Sequence, residues 1–415
     1  MIRLNPFAAW RPPAEIAAKV ACVPYDVVNT QEARALAAGN PQSFMHVIRP
    51  DIDLADDVDH YADVVYETAA KAFKKFQKDG TLVLDGAPSI YLYRQEATLL
   101  GKKVSQTGVV GCCHIDDYAN NLIRKHEKTR KDKEDDRTRH VLDLNCNAEP
   151  VFFLHRDRAE IAELVKRDTA GAPLYDFVAP DGVRHTLWKA SDAAAYVKAF
   201  GQLPSVYVAD GHHRTASAAR AGAERRKANP RHTGNEEYNW FMAVVFPASE
   251  LTILPYHRVV FDLNGMSAQE FLMKLKHVGA LTPTSNPDPP APGSFCVYVG
   301  RTQGWYRVVL PETSINRKDP IESLDYVLLS ERVLSPLLGI ADLRTDKRID
   351  FVGGIRGPKE LERRVDSGEC KAAFCMHPVT IEQLIGVADA GEIMPPKSTW
   401  FEPKLRSGLF VHTLE

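Results

Sequence analysis

What this sequence lacks narrows its function first. Lys and Arg total 52 against 54 Asp and Glu, so a formal charge of -2 provides no global field to gather a polyanion such as DNA. The seven cysteines, at positions 22, 112, 113, 146, 296, 370 and 375, include no CxxC spacing. That sets aside a zinc ribbon and a disulfide framework and favours a reducing compartment. No apolar run reaches the roughly 18 residues of a membrane span, and Met1 to Arg11 offers no signal-peptide core, so a cytoplasmic location is expected. No internal repeat is visible, which sets aside solenoids and propellers.

What is present suits a globular protein. Hydrophobic residues make up 44% and charged residues 26% of 415 positions, enough for two or three cores. The expected class is α+β, with mixed sheets and helices, in three segments: a mixed unit over 1-88, a core over 89-282 and a C-terminal α/β unit over 283-415. The last boundary is set by the turn formers of Pro283 to Pro292. Strand-like runs fall at Val20 to Val28, Phe44 to Ile48, Tyr91 to Arg94, Val104 to His114 and Pro150 to Leu154. Helical spacing runs from Asp57 to Gln77, and the charged stretch Arg124 to His140 reads as a solvated helix.

The densest chemistry lies where the apolar run Ser205 to Ala209 meets Asp210-Gly211-His212-His213-Arg214, with an Ala- and Arg-rich helix following from Thr215. A strand that turns sharply into a helix aims unpaired amides at whatever sits at the turn, and such an end prefers an anion. Gly211 permits close backbone approach, His212 and His213 can donate, and Arg214 offers a planar fork to phosphate oxygens. Asp210 suits a magnesium ion that bridges phosphates, or the orientation of a histidine. The plainer alternative is that Asp210 only caps the helix and Arg214 only pairs with a carboxylate.

The phrase VADGHHRTASA resembles the motif of the ParB/sulfiredoxin-like fold, and within it is most similar to the free-serine kinases, whose motif has the same DGHHR form. The whole chain resembles the Domain of Unknown Function 1015 family. That resemblance is carried in order by Pro24-Tyr25-Asp26-Val27-Val28, FMHVIRP from Phe44, RKHEKTRKDKEDDR from Arg124, DGHHR, LPYHRVV from Leu254 and MPPKSTWFEPKLRSG from Met394. It implies a ParB/sulfiredoxin-like nucleotide-binding core with N- and C-terminal additions, and phosphoryl transfer through the serine-kinase branch.

A kinase needs a base at the acceptor hydroxyl and cations on the phosphoryl group. Glu127 is the expected base, with Asp210 and His213 as further catalytic groups and Asp210 as the metal ligand. Phosphates are assigned to Gly211, His212, His213, Arg214, Thr215, His126, Arg137, Lys397 and Lys404. Asp136-Arg137 lies ten residues after His126-Glu127, so a continuous helix places both on one face. Tyr25, Asp26, His257 and Arg258 are substrate candidates. The expected ligands are ATP or ADP, Mg2+ and a small hydroxylated metabolite, free serine first. Alternatives are a phosphoserine-type phosphatase, phosphotransfer in reverse, or a non-enzymatic ParB-like nucleotide- or DNA-binding protein. A sulfiredoxin-type reductase fits less well, since His212 stands where its reactive cysteine belongs.

Overall fold

Val206, Tyr207, Val208 and Ala209 are all buried, as a continuous apolar run requires of a strand inside a sheet covered on both faces. In the computed structural model, which describes all 415 residues, that strand sits in a nine-stranded mixed sheet. The elements in chain order are β1 Leu4–Asn5, α1 Thr30–Ala37, α2 Met45–Ile48, α3 Asp63–Lys78, β2 Tyr91–Leu99, β3 Lys102–His114, β4 Ile123–Arg124 and α4 Lys131–Leu144. They continue with β5 Val151–His155, α5 Ala159–Thr169, β6 Tyr175–Val178, β7 Arg184–Lys189, α6 Ala193–Phe200, β8 Val206–Asp210, α7 His212–Ala228 and β9 Trp240–Pro247. The sheet order is β4-β8-β5-β9-β3-β2-β7-β6, with β1 paired to β3. Pairing is antiparallel except at β8 with β4 and β9 with β5.

The chain forms two units. Unit 1 is Met1–Thr98, Lys102–Leu251 and Pro403–Glu415; unit 2 is Leu99–Gly101 and Thr252–Glu402. These do not coincide with the three segments expected from composition. The Pro-rich stretch falls inside unit 2, and the C-terminal run returns to unit 1. Ser407 exchanges backbone hydrogen bonds with Cys22, and Val411 does so with Trp10.

Unit 1 has two apolar cores. One covers a face of the sheet with Ile90, Leu92, Phe153, Val206, Val208 and Phe241. The other gathers Phe44, Val47, Phe73 and Phe76 between α2 and α3. Two expected strands are corrected here. Phe44 to Ile48 is the helical turn α2, because a short apolar run does not distinguish a buried helix from a buried strand. Val20 to Val28 is the end of a short helix, a single bridge at Cys22 and a turn from Tyr25.

Unit 2 contains a six-stranded antiparallel sheet. Its elements are β10 Tyr256–Val260, α8 Ala268–Leu275, β11 Ala280–Thr284, β12 Ser294–Tyr298, β13 Trp305–Val309, β14 Ile349–Gly353, α9 Gly357–Asp366, β15 Ala372–Met376 and α10 Ile381–Asp389. The order is β11-β13-β12-β15-β10-β14. No helix of either unit is long and apolar enough to cross a membrane.

Candidate phosphate site at the β8–α7 turn

Gly211 adopts φ +87°, in the left-handed region, and turns the chain from β8 into α7. No side chain caps α7, so Asp210 is not the N-cap that the plainer alternative required. The amides of His212, His213 and Arg214 open the helix, and the first internal bond of the turn is Thr215 N to Gly211 O at 2.9 Å. Thr215 also donates its hydroxyl to that carbonyl at 2.9 Å, which spends the hydroxyl locally.

Arg214 folds back beneath the turn, its side chain only 6% exposed. Its Nη1 donates to Pro150 O at 2.8 Å and its Nη2 to Asp210 Oδ2 at 3.2 Å, with Asp26 Oδ2 at 4.0 Å. Burial opposes the guanidinium charge, but Asp26, Glu149 and Asp210 outweigh it and raise its pKa. Its Nε remains buried without an acceptor. The other Asp210 oxygen faces Lys404 Nζ at 3.4 Å. Burial pushes the Asp210 carboxyl up, whereas Lys404 and Arg214 pull it below its usual range.

The histidines split in role. His213 Nε2 accepts the backbone N–H of Arg130 at 3.0 Å, so its proton belongs on Nδ1 while the ring is neutral. His212 places Nδ1 3.8 Å from Glu127 Oε2 and packs edge-on against His126, with ring centroids 4.5 Å apart. Burial keeps both of these rings neutral, lowering His126 to about 4 and His212 well below its usual value. His212 Nε2 is buried without a hydrogen-bond partner. An uncapped helix N-terminus therefore stands beside one buried donor without an acceptor, Arg214 Nε, and beside His212 Nε2, which is buried without a partner.

Two carboxylates flank the turn, Glu127 and Asp26, each about 40% exposed at the side chain. Asp26 is the tip of a pinned loop. Tyr25 N donates to Glu149 Oε1 at 3.1 Å, Arg49 Nη1 donates to the carbonyls of Tyr25 and Val28, and the Arg137 guanidinium lies 4.3 Å over the Tyr25 ring. Arg137 reaches this neighbourhood, but not along the expected helix. α4 begins only at Lys131, so the spacing from His126 is not three helical turns. Arg214 lines a cavity together with Arg137, Asn147, Glu149 and Ser217, among others.

Glu149 and Arg49 were not among the sequence candidates. Glu149 holds Tyr25 and also accepts from Ser407 Oγ at 3.1 Å, and burial raises its pKa. Neither residue belongs to a local sequence pattern that marks it as part of a site. His257, Arg258 and Lys397 belong to unit 2. There the fully buried Arg258 donates to the carbonyls of Tyr256 and Lys397 and lies 4.0 Å from the Tyr326 ring. Its donors are spent on carbonyls rather than offered to an anion, and burial lowers its pKa to about 10. No group of three His, Cys, Asp or Glu side chains forms a metal cage.

The family model described as protein of unknown function (DUF1015) matches residues 4–327, which include the strand, the turn and helix α7. The chain belongs to this family. No curated protein matches it by sequence. Among solved structures, this DUF1015 member is similar to a free serine kinase in complex with AMP, at 12% identity and a TM-score of 0.35, over 71% of this chain and 86% of that one. It is also similar to SbnI with C-terminal truncation from Staphylococcus aureus, at 12% identity and a TM-score of 0.38, over 72% and 85% of the two chains.

Proposed function

We propose that unit 1 is a ParB/sulfiredoxin-like nucleotide site, and that this cytoplasmic protein transfers a phosphoryl group between ATP or ADP and a small hydroxylated metabolite, free serine being the first to try. The observation that carries the reading is the uncapped start of α7. Three amides and the buried Arg214 Nε lie at one turn, and a phosphate there would supply acceptors for them. The likeness of DGHHR to the free-serine-kinase motif supports the same reading.

In this scheme the helix amides and Arg214 hold the phosphates, and Lys404 adds a cation at Asp210. Glu127 or Asp26, the two exposed carboxylates at the rim, takes the proton of the acceptor hydroxyl. A magnesium ion bound with the nucleotide would neutralise phosphate charge. Asp210 would be its protein ligand, in competition with Lys404 and Arg214, which now engage its two oxygens.

Calorimetric titration with ADP and ATP, with and without magnesium, tests the site. The expected result is binding that weakens by about tenfold or more in Arg214→Lys, which keeps the charge but loses the fork. Unchanged affinity in that variant removes the turn from the mechanism. Mass spectrometry of the products then separates transfer to the hydroxyl from hydrolysis of a phosphomonoester without nucleotide.

A further inference from the structure

One row of side chains crosses four strands of the unit 2 sheet on the face that packs against α9. Arg307 on β13 is opposite Cys296 on β12, and Cys296 is opposite Cys375 on β15. His257 on β10 completes the row, its Nε2 4.0 Å from Cys375 Sγ. Directly opposed residues of an antiparallel pair have Cα atoms about 4.5 to 5.5 Å apart, within the span a disulfide bridges. The register therefore brings two thiols into bonding range with no change of strand pairing.

Each sulfur also has a donor beside it. His257 Nδ1 accepts the Met376 N–H at 3.2 Å, so the proton of the neutral ring sits on Nε2 and faces Cys375 Sγ. Burial pushes the Cys296 thiol up, and the Arg307 guanidinium pulls against it. Arg307 Nε is buried without an acceptor of its own. A thiolate formed at either cysteine thus meets a hydrogen-bond donor already in place.

Both cysteines are covered in the closed fold. The cover over Cys296 is the segment after β11, whose Asn286 carbonyl lies 4.0 Å from Cys296 Sγ. Apart from Arg307 Nη2 donating to Thr284 Oγ1 at 3.4 Å, its hydrogen bonds are local: Thr284 Oγ1 to Asn286 O at 2.9 Å, Asn286 N to Thr284 Oγ1 at 3.1 Å and Asp288 N to Asn286 Oδ1 at 3.0 Å. A segment held this way opens at a cost well below that of unfolding the sheet.

We infer that Cys296 and Cys375 form a reversible dithiol–disulfide site, oxidised by a small disulfide such as glutathione disulfide. When the segment opens, Cys296 loses its proton to solvent and attacks one sulfur of the oxidant. A mixed disulfide forms, and one glutathione thiolate leaves and is protonated. Cys375 then attacks the Cys296 sulfur and expels the second glutathione, whose leaving thiolate takes up the Cys375 proton. Two protein thiols are oxidised and one glutathione disulfide is reduced to two thiols.

The test is peptide mapping of the full chain after incubation with glutathione disulfide, with free thiols alkylated in denaturant before digestion. The expected product is a Cys296–Cys375 linked peptide, lighter by two hydrogens and released by dithiothreitol. Cys375→Ser should stop at a mixed disulfide on Cys296, whereas Cys296→Ser should leave Cys375 unmodified over the same period. Circular dichroism matching the parent protein qualifies each variant. Recovery of both cysteines as alkylated thiols from oxidised, folded protein overturns the inference, and so does a link that pairs either with another cysteine.

Discussion

The Arg214 guanidinium lies against Gly211 so closely that a Cβ at position 211 would stand 3.1 Å from Nε and 3.2 Å from Cζ. The two residues form one device, since the left-handed turn makes the space in which the guanidinium lies. Gly211→Ala therefore strains the backbone and displaces Arg214 together. Urea unfolding should show a loss on the order of 1–2 kcal/mol, while nucleotide affinity falls by about tenfold or more.

Arg214→Met removes the cation that Asp26, Glu149 and Asp210 share. Leaving these carboxylates around an apolar side chain should cost on the order of 3–5 kcal/mol. Thermal unfolding of Arg214→Met beside Arg214→Lys measures how much of the residue's role is charge. A Met variant as stable as the parent would show that the three carboxylates do not depend on it.

Acid should loosen unit 1 through its buried imidazoles. Burial holds His126 at about 4 and His140 and His185 at about 3, against an unfolded value of about 6.5. Because the folded values are depressed, the unfolded chain binds more protons below pH 6.5. The stability these rings provide is complete above that pH and is lost as pH falls toward 4 and then 3. The expected slope is about 1.4 kcal/mol per pH unit for each histidine. Urea unfolding at pH 7, 6 and 5 measures it, and His126→Gln should lower the slope by one histidine's share.

Lys404→Met tests the C-terminal contribution to the turn. With the Lys404 charge gone, Asp210 keeps Arg214 as its ion-pair partner, and its pKa should rise. Nucleotide binding, measured at pH 5 and at pH 8, should weaken several-fold. A variant with parental affinity at both values separates Lys404 from the phosphate site.

The strand, turn and helix that carry the candidate site were legible in the letters because strand, glycine and helix follow one another without interruption from Val206 to Ala228. The charged stretch was less so. Its helix begins only at Lys131, leaving Glu127 and His126 on irregular backbone where helical spacing has no meaning. Phe44 to Ile48 was misread because four or five apolar residues fit either period. Glu149 and Arg49 act by holding Tyr25 from outside the motif, and contacts of that kind leave no local pattern. The division into units was hidden for the same reason, since the pairing of Ser407 with Cys22 links positions at opposite ends of the sequence.

That return of the C-terminal run has a consequence for biosynthesis. Unit 2 is inserted between β9 and Pro403, so a ribosome finishes it before it supplies Lys404 and Ser407. The turn at Gly211 has by then been outside the exit tunnel for well over a hundred codons without its lysine. A nascent chain therefore folds the turn at Gly211 before Lys404 exists, and the Lys404–Asp210 ion pair can close only after all of unit 2 has been synthesised.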